Sequence, residues 1–229
     1  MKNHYRETRQ TMTPQKALQY LKEGNERFIN NLQKNRDLLQ LVNETAEQQF
    51  PFAAILSCSD SRTSTELVFD QGLGDVFSIR LAGNIASVNA IASMEYACKY
   101  LGTKLIVVLG HTGCGAISAA CAGGAKGNIA ELLSYIQPAV DAEKLSGLSV
   151  DQEQFKKNVT HLNVSQQLRN ILDLSPDLRG MIERKEVGIT GGLYDLQTGK
   201  VTFYEDTELF DVERLTHQLL QNYHARENG

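Results

Sequence analysis

The run Leu105-Ile106-Val107-Val108-Leu109-Gly110-His111-Thr112-Gly113-Cys114-Gly115 decides how the chain is read. Five apolar residues make a strand-sized stretch with no polar alternation, as expected for a strand buried on both faces. Glycines at 113 and 115 then let the chain bend sharply into a helical pattern over 115–122. Further short apolar runs stand on either side: Phe52 to Ser57, Val76 to Arg80 and Val187 to Thr190. Helical stretches separate the strands, at Thr63 to Asp70, Asn89 to Leu101, Ile129 to Lys144 and Gln152 to Leu172. Strands alternating with helices mean an α/β fold built on a parallel sheet.

Toward the N-terminus, Thr13-Pro14 is a cap and first-turn pair, and Ala17, Leu18, Leu21, Phe28 and Leu32 recur at helical spacing to about Asn35. A weaker helix covers Leu38 to Gln48. Toward the C-terminus, Ser175-Pro176 caps a short helix, Leu193 to Tyr204 reads as a hairpin around Gln197-Thr198-Gly199, and Thr207 to Tyr223 is an amphipathic closing helix. Neither a linker nor an internal repeat interrupts the pattern. One domain over 1–229 is expected, with a helical arm at 1–50, a core at 51–205 and a closing helix at 206–229.

The 229 residues are 41% apolar and 22% charged, a composition that excludes disordered, collagenous and disulfide-scaffold classes. With 23 Lys+Arg against 27 Asp+Glu and no block of like charge, the net charge of -4 argues against a nucleic-acid partner. No apolar run reaches the roughly 18 to 20 residues needed to span a bilayer, so no membrane partner is expected. The first dozen residues lack an apolar signal core, and a cytoplasmic location is the expectation. Four cysteines are too sparse for a stapled scaffold and read instead as core thiols, metal ligands or nucleophiles.

Cys58 follows the strand Ala53-Ala54-Ile55-Leu56-Ser57, while His111 and Cys114 follow the strand 105–110. If those strands are neighbours, about 4.8 Å apart, two thiolates and an imidazole meet at their carboxyl ends. That donor set suits zinc, Zn2+, over the oxygen-preferring magnesium or calcium. Cys114 opens a helix, whose N-terminus favours its thiolate. Cys121 lies two turns further on, about 10 Å away along the axis, and cannot close the site. Cys98 sits mid-helix as a core thiol. The fourth position is left to water or transiently to Asp60. In Cys58-Ser59-Asp60-Ser61-Arg62 an extended segment would point Asp60 and Arg62 to one face, where Arg62 keeps the carboxylate ionised and off the metal. The carboxylate is then free to accept a hydrogen bond from metal-bound water.

These residues resemble the β-class carbonic anhydrases. The likeness is carried by Cys58-Ser59-Asp60-Ser61-Arg62, Arg80-Leu81-Ala82-Gly83-Asn84, Glu95-Tyr96-Ala97, His111-Thr112-Gly113-Cys114-Gly115 and the opening Gly24-Asn25-Glu26-Arg27-Phe28. The resemblance implies zinc on Cys58, His111 and Cys114, a catalytic Asp60 and Arg62 dyad, and Gln71, Phe77 and Tyr96 lining the substrate pocket. It implies reversible hydration of carbon dioxide to bicarbonate and a proton by a metal-bound hydroxide. It also implies a central parallel sheet in the order 2-1-3-4 with a fifth edge strand, and a homo-oligomer, dimer or tetramer, with pockets at the interface, where Gln71 would serve the neighbour. The bacterial subgroup with a bicarbonate pocket carries Trp where Ile55 stands here, and the chain has no Trp, which implies the plant-like subgroup and an open site. Hydrolysis of carbon disulfide or carbonyl sulfide on the same scaffold is one rival reading, and a non-catalytic zinc module with a closed fourth position is another. A thiol nucleophile at Cys114 would need a general base beyond His111. Nothing marks His4, His161, His217 or His224 as a proton shuttle.

Overall fold

The computed structural model describes residues 11–204. The expected closing helix at 206–229 lies outside them, as do His4, His217 and His224. Five strands form one sheet: β1 (Ala53–Ser57), β2 (Val76–Arg80), β3 (Leu105–His111), β4 (Gly188–Tyr194) and β5 (Val201–Phe203). Their order is β2-β1-β3-β4-β5, parallel throughout except for the β4–β5 hairpin. Both the expected order and the edge strand are observed. Among the described residues the helices are α1 (Pro14–Ile29), α2 (Leu38–Thr45), α3 (Thr65–Val68), α4 (Val88–Tyr100), α5 (Gly115–Ala122), α6 (Asn128–Ser134), α7 (Gln137–Lys144), α8 (Glu153–Leu174) and α9 (Pro176–Glu183). None of them is long and apolar enough to cross a membrane.

β1 and β3, at the centre of the sheet, are buried along their whole length, as their apolar runs require. Ala53, Ile55, Leu105, Val107 and Leu109 face Ala17 and Leu21 of α1. Leu56, Ile106, Val108 and Ile189 face Ile91 and Met94 of α4, Val164 and Leu168 of α8, and Leu178 of α9. Although α1 belongs to the segment read as an arm, it packs into its own chain's core.

Several boundaries differ from expectation for identifiable reasons. α1 ends at Ile29 rather than near Asn35, because Asn31 turns left-handed (φ 60°). The helix expected over 129–144 is two helices, since Pro138 lacks an N–H and stands in the first turn of α7. β4 runs past Thr190 through Gly191 and Gly192 to Tyr194. Those glycines look like breakers in the sequence, yet a Cβ on Gly191 would stand 2.8 Å from Val164 of α8, and one on Gly110 would stand 2.7 Å from the same side chain. They allow the helix to approach the sheet closely.

The Gly24-Asn25-Glu26-Arg27-Phe28 stretch anchors α1 to the rim of the sheet. Asn25 Nδ2 donates to the carbonyls of Val68 and Gly199, and its Oδ1 accepts from Val201 N–H. A Cβ on Gly24 would stand 1.8 Å from the Phe69 carbonyl oxygen. Glycine to alanine inside an exposed helix stabilises by about 1 kcal/mol. Gly24→Ala should reverse that sign and destabilise by about 3 kcal/mol, because backbone cannot yield as a side chain does. Thermal unfolding should show a midpoint several degrees lower, and an unchanged or raised one would contradict this packing.

Arg27 and Arg36 both pair with the buried Asp70 carboxylate, which also accepts from Lys34 N–H. Burial opposes ionisation of Asp70, but the two guanidiniums outweigh it and hold the carboxyl below its usual range. Asp70→Asn leaves two cations facing each other and should cost about 2 kcal/mol at neutral pH. The folded-state value is the lower one, so the carboxylate's contribution is complete above the unfolded value of about 3.9 and is lost as pH falls through the folded one. The stability gap between wild type and variant should therefore narrow from pH 7 to pH 3 in thermal unfolding. A gap that held its size would show that the ion cluster is not its source.

Candidate metal centre

β2 and β3 leave β1 on opposite sides, so the carboxyl ends of β1 and β3 flank the point where connections diverge, and open α/β sheets place their sites there. Ser57 is in register with Leu109, which brings Cys58 alongside the end of β3. β3 continues to His111 because Gly110 and His111 pair with Leu193 and Tyr194 of β4. Thr112 N–H then donates to the Tyr194 carbonyl, and its hydroxyl accepts from Leu196 N–H, which fixes the turn. Gly113 takes the left-handed conformation (φ 64°), and Cys114 becomes the N-cap of α5.

The three residues read from the sequence as ligands meet. One donor atom from each of Cys58, His111 and Cys114 lies within 4.8 Å of the others, and all three residues are buried. The two sulfurs are 4.0 Å apart, close to the ~3.8 Å edge of a tetrahedron with metal–sulfur bonds of about 2.3 Å. His111 Nδ1 donates to the Thr112 carbonyl at 2.9 Å, which leaves the lone pair on Nε2. Nε2 is buried and meets no hydrogen-bond partner among the described residues. A buried ring nitrogen beside two sulfurs fits a divalent cation bound by the three side chains. Neither Cys98 nor Cys121 joins the group among the described residues. Cys98 packs beside α4's apolar neighbours, and burial pushes its thiol up to about 12.

Ionisation differs from the expectation that the helix N-terminus pre-ionises Cys114. The Cys114 thiol, with help from His111 and the Gly83 and Asp60 N–H groups, strongly favours the thiolate at Cys58 against the effect of burial. The Cys58 thiolate and burial in turn push Cys114 far up, and the amides of Ala116 and Ile117 only partly offset this. The helix end does act, but a neighbouring anion acts more strongly. Binding of a cation to both sulfurs as thiolates must release any proton they hold.

Asp60 and Arg62 pair as anticipated, but through a turn. Thr63 N–H closes on the Asp60 carbonyl at 3.1 Å, and Asp60 Oδ1 accepts from Arg62 N–H, so the backbone curls instead of running extended. The guanidinium grips the carboxylate with Nε on Oδ1 at 2.9 Å and Nη2 on Oδ2 at 2.7 Å. The Arg62 hydrogen bond, opposed by partial burial, holds the Asp60 carboxyl well below the usual range. Two residues given no role in the sequence reading support this turn. Arg80 donates to the carbonyls of Cys58 and Asp60, and the Thr63 hydroxyl is within hydrogen-bond distance of the same two oxygens. Arg80's place at the end of the strand beside Cys58 was the available signal.

The three pocket residues come from separate parts of the chain, Phe77 from β2, Tyr96 from α4 and Gln71 from the segment after α3. Phe77 and Tyr96 stand together, their ring centroids 6.3 Å apart, and Tyr96 is half-exposed. Phe77 pairs with Ala54, three residues short of the end of β1, or about 10 Å along the strand. Gln71 lies beside Gly24 of α1, and its Nε2 donates to the Phe69 carbonyl.

A parallel α/β sheet whose switch point gathers two cysteines and a histidine defines a class of protein with a metal-ligating site at its strand ends. The family model for carbonic anhydrase matches residues 53–201, and the chain belongs to that family, in its β class. It is 35% identical to carbonic anhydrase 2 of Mycobacterium tuberculosis over 82% of this chain and 91% of that one. It is 31% identical to a Pseudomonas aeruginosa carbonic anhydrase over 71% and 77% of the respective chains. Among solved structures, a Coccomyxa β-carbonic anhydrase in complex with acetazolamide aligns with a TM-score of 0.69 at 28% identity, covering 82% of this chain and 88% of that one. A tetrameric β-carbonic anhydrase of Sordaria macrospora aligns with a TM-score of 0.66 at 27% identity, covering 73% and 87%.

Proposed function

We propose that this carbonic anhydrase catalyses the reversible hydration of carbon dioxide to bicarbonate and a proton, with zinc held by Cys58, His111 and Cys114. The unpartnered His111 Nε2 beside the two sulfurs carries this reading. Zinc bound there supplies a Lewis acid that makes water nucleophilic near neutral pH. Asp60, kept anionic by Arg62, accepts a hydrogen bond from the attacking oxygen and aims its lone pair at the substrate carbon. It cannot serve as that acceptor if it turns to the metal, and the two-point grip of Arg62 holds it back. That no fourth His, Cys, Asp or Glu joins the three among the described residues supports an open site over a closed structural module.

In this reading a second copy completes the pocket, with Gln71 serving the neighbouring subunit. Tyr96 and Tyr100 form an exposed aromatic pair on α4, flanked by exposed Val88, while α2 presents Leu38, Leu39 and Val42 to solvent. Such faces suit coverage in a homo-oligomer, dimer or tetramer. The proposed location is cytoplasmic, where cysteine ligands stay reduced. Stopped-flow hydration of carbon dioxide on metal-analysed protein tests the activity, with carbon disulfide and carbonyl sulfide run alongside. Turnover of the sulfur substrates without carbon dioxide hydration would overturn the assignment.

A further inference from the structure

α8 crosses behind the metal centre and carries two carboxamides with no access to solvent, Asn163 and Gln167. Gln167 uses its whole hydrogen-bonding capacity. Its Oε1 accepts from Ala86 N–H at 2.9 Å and from Asn170 Nδ2 at 3.1 Å, and its Nε2 donates to the Tyr135 carbonyl at 3.1 Å and to Asn163 Oδ1 at 2.9 Å. With Oδ1 committed as an acceptor, Asn163 must turn Nδ2 outward, and it donates to the Gly83 carbonyl at 3.0 Å. The N–H of the same Gly83 donates to Cys58 Sγ at 3.4 Å. Only glycine fits at this position. Its φ is +72°, and a Cβ there would stand 2.7 Å from Ile136 and 3.2 Å from Ala116.

We infer that Asn163 and Gln167 are positioning residues of the metal centre, fixing Gly83 so that its amide donates to the Cys58 sulfur. The inference rests on the metal-centre reading proposed above. Packing alone would be served by apolar side chains, whereas burying two carboxamides is tolerable only with every polar atom matched. The chain of matched atoms ends on a ligand sulfur. An N–H directed at a thiolate withdraws electron density from it and fixes its orientation, and such outer partners are worth about 10- to 100-fold in metal affinity or activity.

The test uses Asn163→Leu, which keeps the branched heavy-atom shape and removes both the donor and the acceptor, beside Val164→Ala, a truncation one residue on that faces Gly110 and Gly191 instead. Zinc affinity is measured by chelator competition, and the thiolate-to-metal charge-transfer band is recorded on cobalt-loaded protein. Asn163→Leu should bind zinc about tenfold more weakly and shift the band, with Val164→Ala matching wild type in both despite a lower unfolding midpoint. Wild-type affinity and band in folded Asn163→Leu would overturn the inference and leave the metal centre standing, whereas failure of wild type to bind metal at all would remove the metal-centre reading itself. If Asn163→Leu does not fold, wild-type protein loaded with cadmium-113 decides. A scalar coupling from the metal to the Gly83 amide proton supports the inference, and its absence overturns it.

Discussion

Asp60→Asn should lower carbon dioxide hydration about 100-fold while zinc content stays near one per chain. The carboxylate lies outside the three-ligand group, so metal binding does not depend on it. What it supplies is an acceptor beside the site, oriented by two charge-assisted bonds from Arg62 and by the turn that Thr63 and Arg80 close. An asparagine places an amide group where one carboxylate oxygen stood, facing either the guanidinium or the attacking oxygen as a second donor. Either placement spoils the geometry, and losses of this kind amount to about 10²-fold or more. Arg62→Ala should reduce turnover by the same route, through a carboxylate left free to swing, and Arg62→Lys should recover little because one ammonium cannot reproduce a two-point grip. Stopped-flow rates with metal analysis on each variant provide the check. Near-wild-type turnover in zinc-loaded Asp60→Asn would remove the residue from the mechanism.

The parts of the fold that could be read in advance are those in which one local cause dominates. β1 and β3 are dominated by apolar residues with no competing pattern, and their expected positions lie within a residue or two of those observed. α5 coincides with the helical pattern expected over 115–122, beginning at Gly115 and capped by Gly123. Errors arose where a long-range contact reverses a local rule. Gly191 and Gly192 read as breakers when considered alone, but they are strand residues because Val164 leaves no room for a side chain beside Gly191. Asn31 ends α1 where the apolar spacing through Leu32 would have continued it, and Leu32 lies in solvent.

The same division applies to the site. Cys58, His111 and Cys114 stand at strand ends, where topology alone brings them together. The ionisation order of the two thiols depends on a 4.0 Å sulfur–sulfur approach that spacing cannot convey. Asn163 and Gln167 carried no sequence signal, since two polar residues on a long helix look solvated until α8 is placed behind the Gly83 turn.

Cys58→Ser is expected to have the largest effect, abolishing stoichiometric zinc and, with it, hydration activity. The hydroxyl is a weaker donor than a thiolate and does not ionise near neutral pH, so the remaining His111 and Cys114 are left with two positions to fill. A cation bound by the folded chain and not by the unfolded one also stabilises by mass action, about 4 kcal/mol when free metal exceeds the dissociation constant a thousandfold. Stripping zinc from wild type with a chelator should therefore lower its unfolding midpoint by roughly 10 °C, since 1 kcal/mol is worth about 2 to 4 °C in a domain of this size. Cys58→Ser should unfold at the same temperature with or without the chelator. Cys98→Ala serves as the control, because this thiol is buried among apolar side chains and stands outside the ligand group. That variant should lose stability through its cavity, keep its zinc, and retain the full chelator-dependent shift. If Cys58→Ser held one zinc per chain, or wild type showed no chelator-dependent shift, the three side chains would not be the metal's ligands, and the account of Asp60 would fall with them.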